Sequence, residues 1–121
     1  MAGQPIVYVE LASSNPAAAG KFFGQLFGWS LQHEPAFDYH MFRTESGPGG
    51  GLVQADGKQH DAGDALVYVG VDDIDATLAQ AEALGGKTIQ PKMEIPGTGW
   101  MAILTEPGGG RVALYTEMQR S

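Results

Sequence analysis

One pattern of periods and breakers runs through this sequence twice, at an offset of 58 residues, and that repeat restricts the fold more than any single motif. The first copy opens with Ile6-Val7-Tyr8-Val9-Glu10-Leu11, which alternates as a strand does. Val7, Val9 and Leu11 share one face, and Tyr8 and Glu10 share the other. Asn15 followed by Pro16 starts a helix, because an Asx side chain caps free N–H groups and proline suits the first turn. Over Pro16 to Phe27 the residues Ala19, Phe22, Phe23 and Leu26 recur at helical spacing and read as the inward stripe. Gly28 stands where a left-handed cap belongs. Strands follow at Trp29–Glu34, Phe37–Thr44 and Leu52–Ala55, with Ser46 to Gly51 read as a glycine-rich turn.

The second copy repeats each step. Ala65–Val71 is the strand, Asp72-Asp73 the acidic cap, and Ile74–Leu84 the helix, with Ile74, Leu78, Ala81 and Leu84 inward. Gly85-Gly86 ends that helix. Strands are expected at Lys87–Met93, interrupted by Pro91, then at Trp100–Thr105 and Arg111–Glu117. The offset sets Tyr8 on Leu66, Glu10 on Tyr68, Asn15 on Asp73 and Gly28 on Gly86. Gly49-Gly50-Gly51 and Gly108-Gly109-Gly110 are read as corresponding turns, and Gly47–Gly51 as a candidate lid. The fold class is therefore α+β: tandem βαβββ modules at about residues 5–56 and 64–117, joined by a polar linker, 57–63, within a single domain, 1–121. A half of this size buries little alone, so the halves are expected to share a core or a sheet edge.

Composition removes several classes of function. With no cysteine there is no disulfide, thiolate metal site or cysteine nucleophile. A net charge of −7 with seven scattered Lys and Arg argues against binding to nucleic acid. No apolar run reaches the length of a membrane span and the first residues lack a leader pattern, so a cytoplasmic location is expected. The glycine runs lack the Lys-Ser/Thr of a phosphate-binding loop.

Three stretches carry a resemblance. Asn15-Pro16 with Lys21-Phe22-Phe23-Gly24-Gln25-Leu26-Phe27-Gly28-Trp29, Val71-Asp72-Asp73-Ile74-Asp75 with Ala83-Leu84-Gly85-Gly86, and Thr105-Glu106-Pro107-Gly108-Gly109 together resemble the vicinal oxygen chelate, or glyoxalase/bleomycin-resistance/dioxygenase, superfamily. The resemblance implies half-open mixed sheets around a cavity, a divalent metal in the enzymes of the family, and commonly a homodimer. The positions it assigns to metal ligands are Tyr8, Leu66, Ala113 and Gln54 here. Leucine and alanine offer no donor and a neutral amide is a poor one, so no family-type metal and no cofactor are expected.

What remains is a binding surface. Tyr8, Glu10, Gln54, Tyr68, Trp100 and Tyr115 are expected to line a cavity for a small organic molecule, the aromatics as walls and the polar groups as anchors. Glu10 could serve as anchor, general base or displaced metal ligand, or could simply be hydrogen-bonded to Tyr68 or backbone. Of the histidines, His60 reads as solvated and His33 as a loop residue beside Pro35. His40 lies mid-strand without a partner at a recognisable metal spacing. The alternative function is a metal-dependent lyase, isomerase or dioxygenase with displaced ligands, Glu10 and His40 among them.

Overall fold

A computed structural model describes residues 3–58 and 60–118. The chain divides into two compact units, one from Val7 to Leu66 and one comprising residues 3–6 and 67–118. In the first unit the element order is β1 (Ile6–Ser13), α1 (Pro16–Phe27), β2 (Ser30–Glu34), β3 (Tyr39–Arg43) and β4 (Gly49–Gln54). In the second it is β5 (Ala65–Gly70), α2 (Ile74–Ala83), β6 (Lys87–Ile95), β7 (Gly99–Thr105) and β8 (Arg111–Glu117), with Ala65 and Leu66 of β5 in the first unit. Each unit is a mixed sheet with its last strand parallel to its first. β4 pairs with β1 in parallel and with β3 antiparallel, and β3 pairs with β2 antiparallel. β8 likewise pairs with β5 in parallel and with β7 antiparallel, and β7 with β6. The α+β reading and the repeat are thus realised strand for strand.

The helix ends behave as their residues dictate. The Asn15 side chain accepts a hydrogen bond from the Ala18 N–H, and Asp73 does the same for Ala76. Gly28 adopts φ 73°, the left-handed value that ends a helix at small cost only for glycine. In β6 the pairing register shifts around Pro91, which cannot donate to a ladder.

Packing departs from the sequence reading in four places. The inward side of α1 is made by Gly20 and Gly24, over which lie the side chains of Leu31 and Leu52, whereas Phe22 and Leu26 are exposed and Phe23 is half-buried. Two glycines bring the helix axis close to the sheet, and the large residues are displaced to the flank. There Phe23, Phe27, Trp29 and Phe42 form a run of ring contacts. Leu84 is exposed at the end of α2, whose core contacts come from Ile74 and Leu78 against Val71, Ala102 and Leu114.

The run Gly49-Gly50-Gly51 belongs to strand β4 and not to a turn or lid. A side chain at Gly50 would collide with the Val9 carbonyl and the Phe42 ring, and one at Gly51 with the hydroxyls of Tyr39 and Tyr8. Glycine is required there by what lies across the strand. His33, finally, is a strand residue paired with His40.

Candidate ligand site

Alternation along the strands gives each sheet one helix-facing side and one free side. In the first unit Leu31, Phe42 and Leu52 mark the helix side, through their contacts to Gly20 and Trp29. Tyr8 and Glu10 of β1, Gly49 and Gly51 of β4, Tyr39 and Met41 of β3, and Gln32 of β2 occupy the opposite face, in register. Tyr8 and Glu10 thus share one face, as their alternation predicts, and that face holds a tyrosine that the sequence reading did not select, Tyr39.

Tyr39 joins the others. Its hydroxyl donates to Glu10 Oε2 at 3.1 Å and lies 2.6 Å from the hydroxyl of Tyr8. Since a phenol has one proton and that of Tyr39 goes to Glu10, the Tyr8 hydroxyl donates to the Tyr39 oxygen. The order Tyr8 to Tyr39 to Glu10 is a short proton-ordered chain ending on a carboxylate. It passes over Gly51, whose missing side chain leaves the room for both rings. Glu10 is held by Tyr39, which supplies the pairing that a part-buried carboxylate requires.

Burial pushes the Tyr39 phenol far above its ordinary range, and the charge of Glu10 and the contact with Tyr8 push it further. The Tyr8 phenol is raised too, first by burial. A hydrogen bond that Tyr39 can donate to the Tyr8 phenolate opposes that rise, and the Glu10 charge adds to it. Both phenols are therefore neutral hydrogen-bonding groups at physiological pH.

Tyr8 also borders a cavity of about 720 Å³ within the first unit. Its polar lining includes Ser30, Gln32, Arg43 and Thr44, its apolar side chain is Met41, and Gly47, Gly49 and Gly50 also border it, with Leu31 and Phe42, whose side chains turn to the helix side. This volume falls in the range of small-molecule sites. Tyr8 thus has one side on the cavity and its hydroxyl on the chain that leads to Glu10.

The remaining expected residues divide. Gln54 is on the helix side, exposed, with its amide donating to the Ser14 carbonyl at 2.9 Å, and it does not join Tyr8 and Glu10. In the second unit Tyr68 and Tyr115 share a face with Ala113, since Tyr68 pairs with Ala113. Tyr68 is buried, and the Tyr115 hydroxyl donates to the Thr98 carbonyl at 3.3 Å. Burial, and then the nearby Glu117 charge, raise the Tyr115 phenol. Trp100 does not share that face: it packs against the buried cluster that includes Ile74 and Leu78 of α2, with the Lys92 ammonium 5.4 Å from its ring. Trp100 and Gln54 were placed wrongly for one reason, a parity fixed by helix packing that spacing alone does not reveal.

The donor set at the positions assigned to a metal does not fit one. They hold the neutral Tyr8 phenol, Leu66 and Ala113, and where Gln54 was expected to face inward the strand presents Gly51. Glu10 and His40 cannot chelate one ion either. Glu10 is on the free face with Tyr39, and His40, the next residue along β3, points to the opposite side of the sheet.

The sequence matches the model of the Glyoxalase/Bleomycin resistance protein/Dioxygenase superfamily over residues 5–114, and the chain belongs to that superfamily. It is similar to CFP32 of Mycobacterium tuberculosis, a protein provisionally named a glyoxylase, with 27% identity over 89% of this chain and 44% of the relative. It is similar as well to the anthracycline biosynthesis protein DnrV of Streptomyces peucetius, with 28% identity over 89% of this chain and 45% of the relative. The chain spans less than half the length of these curated relatives. Among solved structures, methylmalonyl-CoA epimerase from Mycobacterium tuberculosis superposes with a TM-score of 0.76 at 13% identity, covering 98% of this chain and 93% of that one. At that identity the likeness is one of fold.

Proposed function

We propose that this chain binds a small organic molecule in the cavity beside Tyr8, without the metal site of the family's enzymes. The observation that carries the reading is the Tyr8–Tyr39–Glu10 chain at the wall of a ligand-sized cavity. A phenol whose proton direction is set by a second phenol and a carboxylate is a preorganised recognition group, because its ordering cost is met on folding and not on binding. Met41 supplies an apolar side chain to the wall, and Arg43 a cation for a carboxylate, enolate or phenolate on the ligand. A hydroxylated planar aromatic molecule fits this chemistry. DnrV, named for anthracycline biosynthesis, gives a reason to begin there.

The remaining expectations are carried as proposals. Tyr68 and Tyr115 would contact a ligand within the second unit. Two copies of the chain would associate as a homodimer, as the superfamily resemblance implies. Among the described residues no helix is long and apolar enough to cross a membrane.

A thermal-shift screen of hydroxylated aromatics against the wild-type chain tests the reading, because a ligand of the native state raises its melting temperature. A hit whose effect disappears in Tyr8→Phe and Arg43→Gln supports it. Hits that are indifferent to both substitutions overturn the assignment of the cavity.

A further inference from the structure

The hairpin of β2 and β3 carries a second cluster on the helix-facing side of the first unit. His33 and His40 are directly opposite each other in the antiparallel ladder, and their rings stack with centroids 4.4 Å apart and planes 20° from parallel. Asp38, at the end of the turn between them, has φ 47° and is the one non-glycine residue with positive φ among those described. Aspartate tolerates that conformation better than most residues. It brings the carboxylate over both rings: Asp38 Oδ1 is 2.8 Å from His33 Nε2 and 3.8 Å from His40 Nε2. The three ligand atoms all lie within 4.8 Å of one another.

We infer that His33, Asp38 and His40 form a site for a divalent cation of the zinc class. Two imidazoles and one carboxylate are a donor set for zinc, nickel, cobalt or copper and a poor one for magnesium or calcium. Zinc bonds of about 2.0–2.2 Å at tetrahedral angles place neighbouring ligand atoms roughly 3.3 Å apart. The two observed separations bracket that value, so small side-chain rotations seat the ion. Only one imidazole reaches hydrogen-bonding distance of the carboxylate, and an ion between the three would engage both. Three protein ligands leave a fourth position to water or to an oxygen of a ligand.

The site is separate from the cavity. It touches the cavity's chemistry only through Tyr39, which stands between Asp38 and His40 in sequence and bonds to Glu10 on the other face of the sheet. An ion at the hairpin fixes the strand end from which Tyr39 projects.

The test is calorimetric titration of Zn²⁺, with Mg²⁺ as control, into the untagged chain after chelator treatment. Visible absorption of a Co²⁺ complex reports geometry. One Zn²⁺ per chain with micromolar affinity, intense visible Co²⁺ bands and no Mg²⁺ heat are the expected results. His33→Gln and Asp38→Asn should each weaken Zn²⁺ binding about ten-fold or more. His60→Gln, which removes the third histidine from a separate loop, should leave it unchanged. His33 is substantially exposed, so its variant should keep the wild-type circular dichroism spectrum and isolate the ligand effect. Zn²⁺ binding only in the millimolar range, or equal binding by the folded His33→Gln variant, overturns the site.

Discussion

Gly51→Ala is the perturbation that most directly probes the packing of the site. The added methyl group would lie 2.7 Å from the Tyr8 hydroxyl and closer still to the hydroxyl and ring of Tyr39. Tyr39 must swing away, breaking its bond to Glu10 and its contact with Tyr8. Overpacking costs about 1–3 kcal/mol, and leaving a charged acceptor without its donor costs about 1.5–3 kcal/mol. Replacing a strand glycine returns about 0.5–1 kcal/mol. The net destabilisation is about 1.5–5.5 kcal/mol. With a urea m-value of about 1–3 kcal/mol/M, the midpoint should fall by at least roughly 0.5 M. The same substitution in a Tyr39→Ala background meets only the Tyr8 hydroxyl, which is then free to turn aside, and should cost less than about 1 kcal/mol. The coupling energy from this double-mutant cycle, by urea unfolding followed with circular dichroism, isolates the contact. A cost for Gly51→Ala that is equal in the two backgrounds would refute the reasoning.

Further outcomes follow from the same geometry. Tyr39→Phe keeps the ring and removes the donor to Glu10, so it should lower stability by about 1.5–3 kcal/mol, while Glu10→Gln keeps an acceptor and should cost less, both measured by urea unfolding. The phenols of Tyr8 and Tyr39 are raised above the unfolded value of 10.0, so the folded state retains protons that the unfolded state loses. Their contribution is complete below about pH 10 and declines as pH rises beyond it. In an alkaline titration phenolate absorbance from these two should appear together with loss of the fold, and full ionisation of all four tyrosines in a still-folded chain would contradict this. Gly28→Ala should cost about 1–2 kcal/mol by thermal unfolding, because φ 73° is strained for alanine although space is free around it.

Local chemistry explains why the elements were legible. Asn15-Pro16, Gly28 and Asp73 act through their own backbone neighbours, so the structure had little freedom to place the helices elsewhere. The Tyr8/Glu10 face was legible for the same reason, since strand parity is a property of adjacent residues. What the sequence did not disclose depends on partners across the sheet. Gly49-Gly50-Gly51 looked like a turn because the bulk that forbids side chains there belongs to Tyr39, Phe42 and Val9. The site of Gln54 and Trp100 depended on which face each helix covers, and α1 is seated by Gly20 and Gly24 where the aromatic spacing pointed to Phe22. Tyr39 and the pairing of His33 with His40 were within reach. A hairpin turning through Pro35 to Asp38 sets those histidines opposite each other, and the same register puts Tyr39 on the face away from Phe42.

The central claim is that the cavity beside Tyr8 binds an organic ligand through the ordered phenol. Titration calorimetry of the strongest hydroxylated aromatic from the thermal screen, against wild type, Tyr8→Phe and Gln54→Ala, tests it most directly. The loss of one hydrogen bond to a preorganised group corresponds to about ten-fold weaker binding. Tyr8→Phe should show at least that loss and Gln54→Ala none. Equal affinity for wild type and Tyr8→Phe would contradict the account.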